Sequence, residues 1–167
     1  MKFVLFRHAH KGILPFEDPE LSPQGFEQAL RISNLITNNN LKNNLSSPTH
    51  LYASPKKRTS QTLYPTSQKL KLKIEIHPAL DQQSQHENNT DFKKRVQKFL
   101  FYLESLNREN FVIFACSHYD WIEVAMTLIS SDKDLNSFEF SHWEPTQYIE
   151  FELQDNLWKF IQKGAAK

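Results

Sequence analysis

Arg7 and His8 stand side by side at the end of the apolar run Phe3-Val4-Leu5-Phe6. An imidazole beside a guanidinium at a strand end puts a nucleophile next to a phosphate clamp. The dipeptide alone is unspecific, because Arg and His adjoin by chance in many chains and a solvated strand end is the plain alternative. Two later segments change that balance. Tyr52 to Thr62, reading YASPKKRTSQT, follows a second short apolar run and carries Arg58; Phe111 to Cys116 leads directly into Ser117-His118. Arg7, His8, Arg58 and His118 therefore all fall just past predicted strand ends. In open α/β sheets ligands bind outside the carboxyl ends of the strands, so two His and two Arg this far apart in sequence can converge on one anion.

The elements that must position them alternate between strand and helix, which predicts a mainly parallel sheet covered on both faces. Strands are expected at 2–7, 49–53, 73–76 and 111–116, the last of them central. Ser22 suits a helix N-cap and Pro23 the first helical position. From there Phe26, Ala29, Leu30, Ile32, Leu35 and Ile36 supply one apolar side of a helix to about Thr37, and Asn38 through Asn44 read as a loop. A second helix spans about Lys56 to Leu70, with Pro65 predicting a kink or an early break. Gln82 to Asn89 reads as a polar, mobile segment; the helix from Thr90 to Leu106 after it buries Phe92, Val96, Phe99, Leu100 and Leu103. Trp121 to Ile129 makes a further helix and Phe138 to Pro145 an aromatic connection. Thr146 to Leu153 and Leu157 to Ile161 form a terminal hairpin around Asp155-Asn156.

Length and charge agree with one domain over residues 1–163, followed by a frayed tail at 164–167. With 20 basic and 19 acidic side chains the net charge is +1, so no global field recruits nucleic acid or an anionic membrane. Any anion binding must be local. No run approaches the ~18 apolar residues of a membrane span. The apolar amino-terminal stretch is interrupted by Arg7 and followed by His8, His10 and Lys11, unlike a signal peptide. The single Cys116 lies inside an apolar run and reads as a small buried hydrophobe. These features predict a monomer of a reducing, cytoplasmic compartment.

In this order the motifs resemble those of the histidine phosphatase superfamily, whose fold is that of the cofactor-dependent phosphoglycerate mutases. The resemblance rests on Arg7-His8-Ala9, on Leu21-Ser22 through Gly25 with Gln28-Ala29, on Ser54-Pro55 with Arg58 and Gln61-Thr62, and on Ser117-His118. It spans residues 2 to about 153. It implies a three-layer α/β/α sandwich with a mainly parallel central sheet. It also implies that His8 attacks phosphorus and becomes a phosphohistidine, that Arg7 and Arg58 grip the phosphoryl oxygens, and that His118 completes the pocket. Lys56 and Lys57 read as solvated, adding a local positive field. His10, Lys11, His50, His77, His86 and His142 read as structural or surface residues. A metal site built from His8, His10 and His118 is the rival use of the imidazoles. No Asp or Glu stands at ligand spacing beside them, and two arginines would repel a divalent cation, so neither metal nor cofactor is expected.

Departures from the family pattern are informative too. Ala9 replaces a common Gly. In His77-Pro78-Ala79-Leu80-Asp81-Gln82, many phosphomonoesterases and the mutases of the family carry a Glu general acid where this chain has Gln82, and an amide cannot donate a catalytic proton. Asp81 would point elsewhere in an extended segment, whereas His86 and Glu87 lie on a loop able to fold over the site. Expelling an alkoxide, whose conjugate acid resembles water at about 15.7, needs that proton; expelling imidazole, near 6.5, hardly does. The chain also lacks the large insertions that close over small substrates. These traits resemble the short phosphohistidine phosphatases that act on histidine-containing phosphotransfer domains. The expected function is thus a metal-independent phosphatase that removes phosphate from protein phosphohistidine. The alternatives are a small-molecule phosphomonoesterase using Asp81, His86 or Glu87 as acid, with a small phosphoester as partner, and a module that binds phosphorylated partners without turnover. Mutase activity, which needs a closed site and the acid, ranks last.

Overall fold

The computed structural model describes residues 1–36 and 44–166, so the predicted helix end at Thr37, the asparagine-rich loop up to residue 43 and Lys167 lie outside the described residues. Within them the chain runs β1 (Lys2–Arg7), α1 (Pro23–Leu35), β2 (His50–Ala53), α2 (Lys57–Leu70), β3 (Ile74–Ile76), α3 (Asn89–Ser105), β4 (Val112–Ser117), α4 (Tyr119–Leu128), β5 (Gln147–Gln154) and β6 (Leu157–Ala165). The strands form one sheet in the order β3-β2-β4-β1-β5-β6. β3, β2, β4 and β1 are parallel, and the β5–β6 hairpin continues the sheet antiparallel beyond β1.

Strand periodicity explains the layers. Phe3 and Leu5 of β1, with Ile113 and Ala115 of β4, turn to one face and pack with Phe99, Leu103, Trp121 and Ile122 of α3 and α4. Val4, Phe6, Phe114 and Cys116 turn to the other and meet Ile32 of α1 and Leu63 of α2. Both faces are covered, which makes the α/β/α sandwich. β4 lies between β2 and β1, and its register sets Ser117 opposite Arg7 and Cys116 opposite Ala53. The segments leaving these three strands consequently start side by side.

Several expectations are corrected by packing. Phe26 and Leu30 do not share the buried side of α1; they are 46% and 55% exposed. The stripe that enters the core is Gly25, Ala29, Ile32 and Ser33, one helical face over. Pro65 neither ends nor breaks α2. It removes one backbone bond from a helix whose buried Thr62, Leu63, Thr66 and Ser67 keep it seated, and the helix stops instead at Lys71, with φ of 55°. The tail does not fray at 164: β6 continues to Ala165, paired with Gln147, and Ala166 is buried. Gly164 lets it do so, since a Cβ there would come 2.6 Å from the Tyr148 hydroxyl. The hairpin turn falls on Asp155 and Asn156, both at positive φ, as that dipeptide tolerates.

Ser22 caps α1 by accepting the Gly25 N–H, with Pro23 next in the first turn. Gly25 matters for a steric reason: a Cβ at this position would lie 2.0 Å from the His10 carbonyl oxygen. The helix thereby approaches the loop that follows β1 closely enough for Gln28 to accept the His10 N–H at 2.8 Å. Gly25→Ala is expected to push α1 from this loop and cost about 1 to 3 kcal/mol of stability in urea unfolding, the range for overpacking a tight contact; unchanged stability would show that α1 shifts freely.

Candidate active site

Each predicted site residue sits at or just past a strand end and is held by its own element. Arg7 is the last residue of β1 and His8 follows it, its N–H donating to the Ser117 carbonyl at 3.0 Å. Arg58 lies in the first turn of α2, immediately after β2. His118 occupies the N-cap position of α4, directly after β4. The four line one open cleft of about 630 Å³, with His10, Lys11, Ile13, Gln82, Gln83, Tyr119, Asp120 and Pro145 among the other walls.

Arg58 connects them. Its guanidinium is buried, with 3% exposure. Nε–H donates to His8 Nε2 at 3.2 Å; Nη2 donates to His118 Nδ1 at 3.2 Å and to Gln82 Oε1 at 2.5 Å. Nη1 stands 3.6 Å from the Asp18 carboxylate. A guanidinium only donates, so these contacts fix both imidazole tautomers. His8 carries its proton on Nδ1, which donates to the Ala9 carbonyl at 2.7 Å, and keeps a lone pair on Nε2. His118 carries its proton on Nε2, which donates to Ser54 Oγ at 2.8 Å. Ser54 also accepts the Lys56 N–H at 3.1 Å and lies 3.1 Å from Thr59 Oγ1.

Burial, then the positive charge of Arg58, depresses both imidazoles; for His8 the Ala9 bond offsets only part of it, and Arg7 and Lys11 also oppose protonation. His8 falls from the ordinary 6.5 to about 3, and His118 falls to about 2. Both are neutral near pH 7. A neutral His8, its Nε2 unprotonated and holding only the Arg58 Nε–H, is chemically a nitrogen nucleophile once that bond yields.

Arg7 is held differently. Nη1 donates to the Trp143 carbonyl, the guanidinium lies 5.3 Å from the Tyr119 ring centroid, and its Nε is buried without a hydrogen-bond partner. That Nε–H is a donor without an acceptor beside the cleft.

The remaining motif residues brace the loops. Thr62 Oγ1 accepts the Ala9 N–H at 2.9 Å and donates to the Arg58 carbonyl at 2.6 Å. Gln61 accepts the Leu21 N–H. Ala9, Leu21 and Ala29 form a small buried cluster beneath them. Cys116 is wholly buried, its thiol pushed up by that burial.

The segment after β3 is tied to α3 and α4 by side-chain bonds. Pro78–Leu80 is a short 3₁₀ turn, capped by the His77 ring accepting the Ala79 N–H. Arg95 of α3 donates to the carbonyls of Ala79, Asp81 and Gln82 and makes two bonds to Glu87, at 2.8 and 2.6 Å. Gln83 donates its N–H to Asp120 at 2.7 Å. Because the segment turns rather than extends, Asp81 points inward, with Oδ1 3.6 Å from His118 Nε2. Glu87 is withdrawn from the role of acid: the Arg95 bonds hold its carboxyl below the usual range, ionised. His86 is exposed and lines no part of the cleft. Lys57 is exposed as expected, pairing with Glu20 at 3.2 Å. His10, read as structural or surface, is exposed but does line the cleft, its ring 2.7 Å from Ser22 Oγ. Among the described residues no group of three His, Cys, Asp or Glu side chains could hold a metal ion.

Sequence reasoning did not identify Arg95, Asp120, Tyr119 or Trp143. Only Tyr119 and Asp120 carried a signal, their place next to Ser117-His118.

Residues 5–85 match the family model of the histidine phosphatase superfamily (branch 1). No curated protein matches the chain in sequence. Solved structures share its fold at low identity. A mutant of the phosphoserine phosphatase of Entamoeba histolytica in complex with phosphoserine aligns over 99% of this chain and 98% of its own, at 16% identity and a TM-score of 0.72. The protein histidine phosphatase SixA complexed with tungstate aligns over 99% and 97%, at 14% identity and a TM-score of 0.71. The α-ribazole phosphatase of Shigella flexneri aligns over 99% and 97%, at 15% identity and a TM-score of 0.72. The phosphoglycerate mutase-like sandwich is thereby shared along the whole chain.

The depressed imidazoles carry a stability consequence. Between pH 6.5 and about 3 the unfolded chain binds protons at His8 and His118 that the folded chain does not, so stability falls as pH falls through that window. Each imidazole contributes about 2 kcal/mol of this loss at pH 5. Urea unfolding at pH 7.5 and 5 should therefore show His118→Gln losing about 2 kcal/mol less than the wild type; equal losses would contradict two buried neutral imidazoles.

Proposed function

We propose that the protein is a metal-independent phosphatase that removes phosphate from protein phosphohistidine through a phosphoenzyme on His8. The observation that carries this reading is the Arg58 contact that leaves the His8 Nε2 lone pair unprotonated at the cleft floor. In the first step Nε2 bonds to phosphorus as the bond from phosphorus to the substrate's leaving nitrogen breaks, and the electron pair goes with the imidazole. In the second, water attacks the phosphohistidine, His8 leaves with its electron pair, and phosphate departs. Splitting the displacement makes each step easier.

Arg58 and Arg7 supply the charge that spreads over the phosphoryl oxygens in the transition state. His118 faces the same oxygens. Its Nδ1 lone pair is held by the Arg58 Nη2–H, so it serves them by fixing that guanidinium, with Ser54 accepting its Nε2–H. The cations of the two arginines stand where a metal would otherwise neutralise the substrate. The natural setting we infer is the cytoplasm, with the chain acting as a monomer on phosphorylated proteins such as histidine-containing phosphotransfer domains.

Gln82 supports phosphohistidine over esters. Arg58 donates to its carbonyl, so its amide NH₂ is the group left to face a substrate, a donor without a transferable proton. One observation favours the phosphomonoesterase reading, the approach of Asp81 to His118. Asp81 does not line the cleft, however, and its Oδ1 accepts the Gln82 N–H.

Turnover should vanish in His8→Ala with the fold intact, and rapid quench of the wild type should trap an acid-labile, base-stable phosphoenzyme. Label on Ser54, Ser117 or Cys116 would contradict the assignment. EDTA should leave turnover unchanged; inhibition that zinc or magnesium reverses would assign the imidazoles to a metal.

Leaving-group dependence separates the substrate classes. Rates on aryl phosphates should drop steeply as leaving-group pKa rises, with alkyl phosphates nearly inert and phosphoramidates cleaved. Gln82→Glu should raise alkyl phosphate hydrolysis by about 10- to 100-fold. That lies at and below the lower limit of the ~10²- to 10⁴-fold typical of general acid catalysis, because Arg58 would hold the new carboxyl ionised until phosphate engages the guanidinium. Equal wild-type rates on alkyl and aryl phosphates, lost in Asp81→Asn, would instead establish the phosphomonoesterase.

A further inference from the structure

Residues 11–21 form a loop at the rim of the cleft. Its ends meet through the pairing of Lys11 with Leu21 and the Gly12 N–H bond to the Glu20 carbonyl at 2.8 Å. Two of its three carboxylates turn inward, while Glu17 is exposed beside the tip. Asp18 accepts the Lys57 N–H and stands beside Arg58, and Glu20 pairs with Lys57. The tip does the opposite: Ile13, Leu14 and Phe16 are 81%, 66% and 86% exposed. Three large apolar side chains within four residues, held against water by an anchored loop, mark an interaction site more than a chance exposure.

The position of the tip indicates what covers it. Ile13 lines the catalytic cleft, while Leu14 and Phe16 stand beyond it. A substrate small enough to stay in the cleft touches Ile13 alone. One that also covers Leu14 and Phe16 extends past the cleft and is macromolecular. Charge adds a second feature. Lys11, in the cleft wall, and Lys56, at the start of α2, have no carboxylate partner among the described residues, and both act on the His118 imidazole.

We propose that the Ile13-Leu14-Pro15-Phe16 tip is the docking surface for the phosphorylated protein. Apolar side chains flanking its phosphorylated residue seat on Leu14 and Phe16, and neighbouring acidic groups meet Lys11 and Lys56. The proposal rests on the reading of the site as a protein phosphatase. It adds that affinity for the protein substrate resides outside the cleft, whereas the chemistry resides within it.

The test compares Leu14→Ser/Phe16→Ser with the wild type on a histidine-phosphorylated phosphotransfer domain and on phosphoramidate. Phe101→Ser, an equally drastic change at an exposed position of α3 off the cleft, is the control. The double variant should lose about 10- to 100-fold in kcat/KM on the protein, through KM, the effect of removing two interface anchors. It should stay within about twofold on phosphoramidate, with the control unchanged on both. An equal loss on both substrates would overturn the proposal, because the tip would then only shape the cleft. Full activity on the protein would overturn it as well, as would a wild-type dimer in sedimentation that the double variant converts to monomer. Phosphoserine casein and p-nitrophenyl phosphate are run in parallel. A wild type that acts on casein and not on phosphohistidine sinks the phosphohistidine reading alone, and docking then stands or falls on the same selective loss with casein.

Discussion

The buried guanidinium of Arg58 is the constraint on which the site depends. It is desolvated, so its charge acts strongly on its neighbours, and it is satisfied only by groups that accept: His8 Nε2, His118 Nδ1, the Gln82 carbonyl and the Asp18 carboxylate. Each acceptor is thereby oriented. The imidazoles cannot rotate or change tautomer without stranding a donor, and burial keeps them neutral. A fixed, uncharged nucleophile beside a fixed cation is the preorganised state that phosphoryl transfer exploits, since little reorganisation remains when the substrate arrives.

The sheet makes that guanidinium possible. Placing β4 between β2 and β1 brings three strand ends together, so residues distant in sequence share one rim without a long connection. The loops are then tied by short side-chain bonds: Thr62 to Ala9, Gln61 to Leu21, Gln28 to His10 and Ser54 to His118. The far wall is built by longer reaches, with Arg95 of α3 gathering the carbonyls of residues 79, 81 and 82, and the Trp121 indole donating to Ala79 at 2.7 Å. Arg7 draws on the segment before β5 through Trp143.

What the sequence disclosed follows from how local each signal is. Buried strands that end at Arg7, Ala53 and Ser117 are visible as apolar runs leading into polar residues, so the rim that carries the candidate site was legible. The inward face of α3 was legible for the same reason, its five predicted core residues all being buried. Asp81 was misplaced because its direction depends on a 3₁₀ turn fixed by Arg95 and Trp121, which lie 14 and 40 positions away. Phe26 and Leu30 looked like core because they are apolar, but helix rotation is set by Gly25 meeting the His10 carbonyl, a contact that composition does not show. The pairing of Ala165 was hidden because Gly-Ala-Ala carries no strand pattern, and its length is imposed by the partner β5.

The central claim is that Arg58 holds His8 as a neutral imidazole protonated at Nδ1, with Nε2 unprotonated and accepting the Arg58 Nε–H. Nitrogen-15 NMR of the histidine side chains, assigned by the loss of one signal in His8→Ala, reads this directly. The account predicts an Nδ1–H tautomer for His8 that persists unchanged from pH 8 to 5, since its folded pKa lies at about 3. An Nε2–H tautomer, or a His8 that titrates near 6.5, would contradict it.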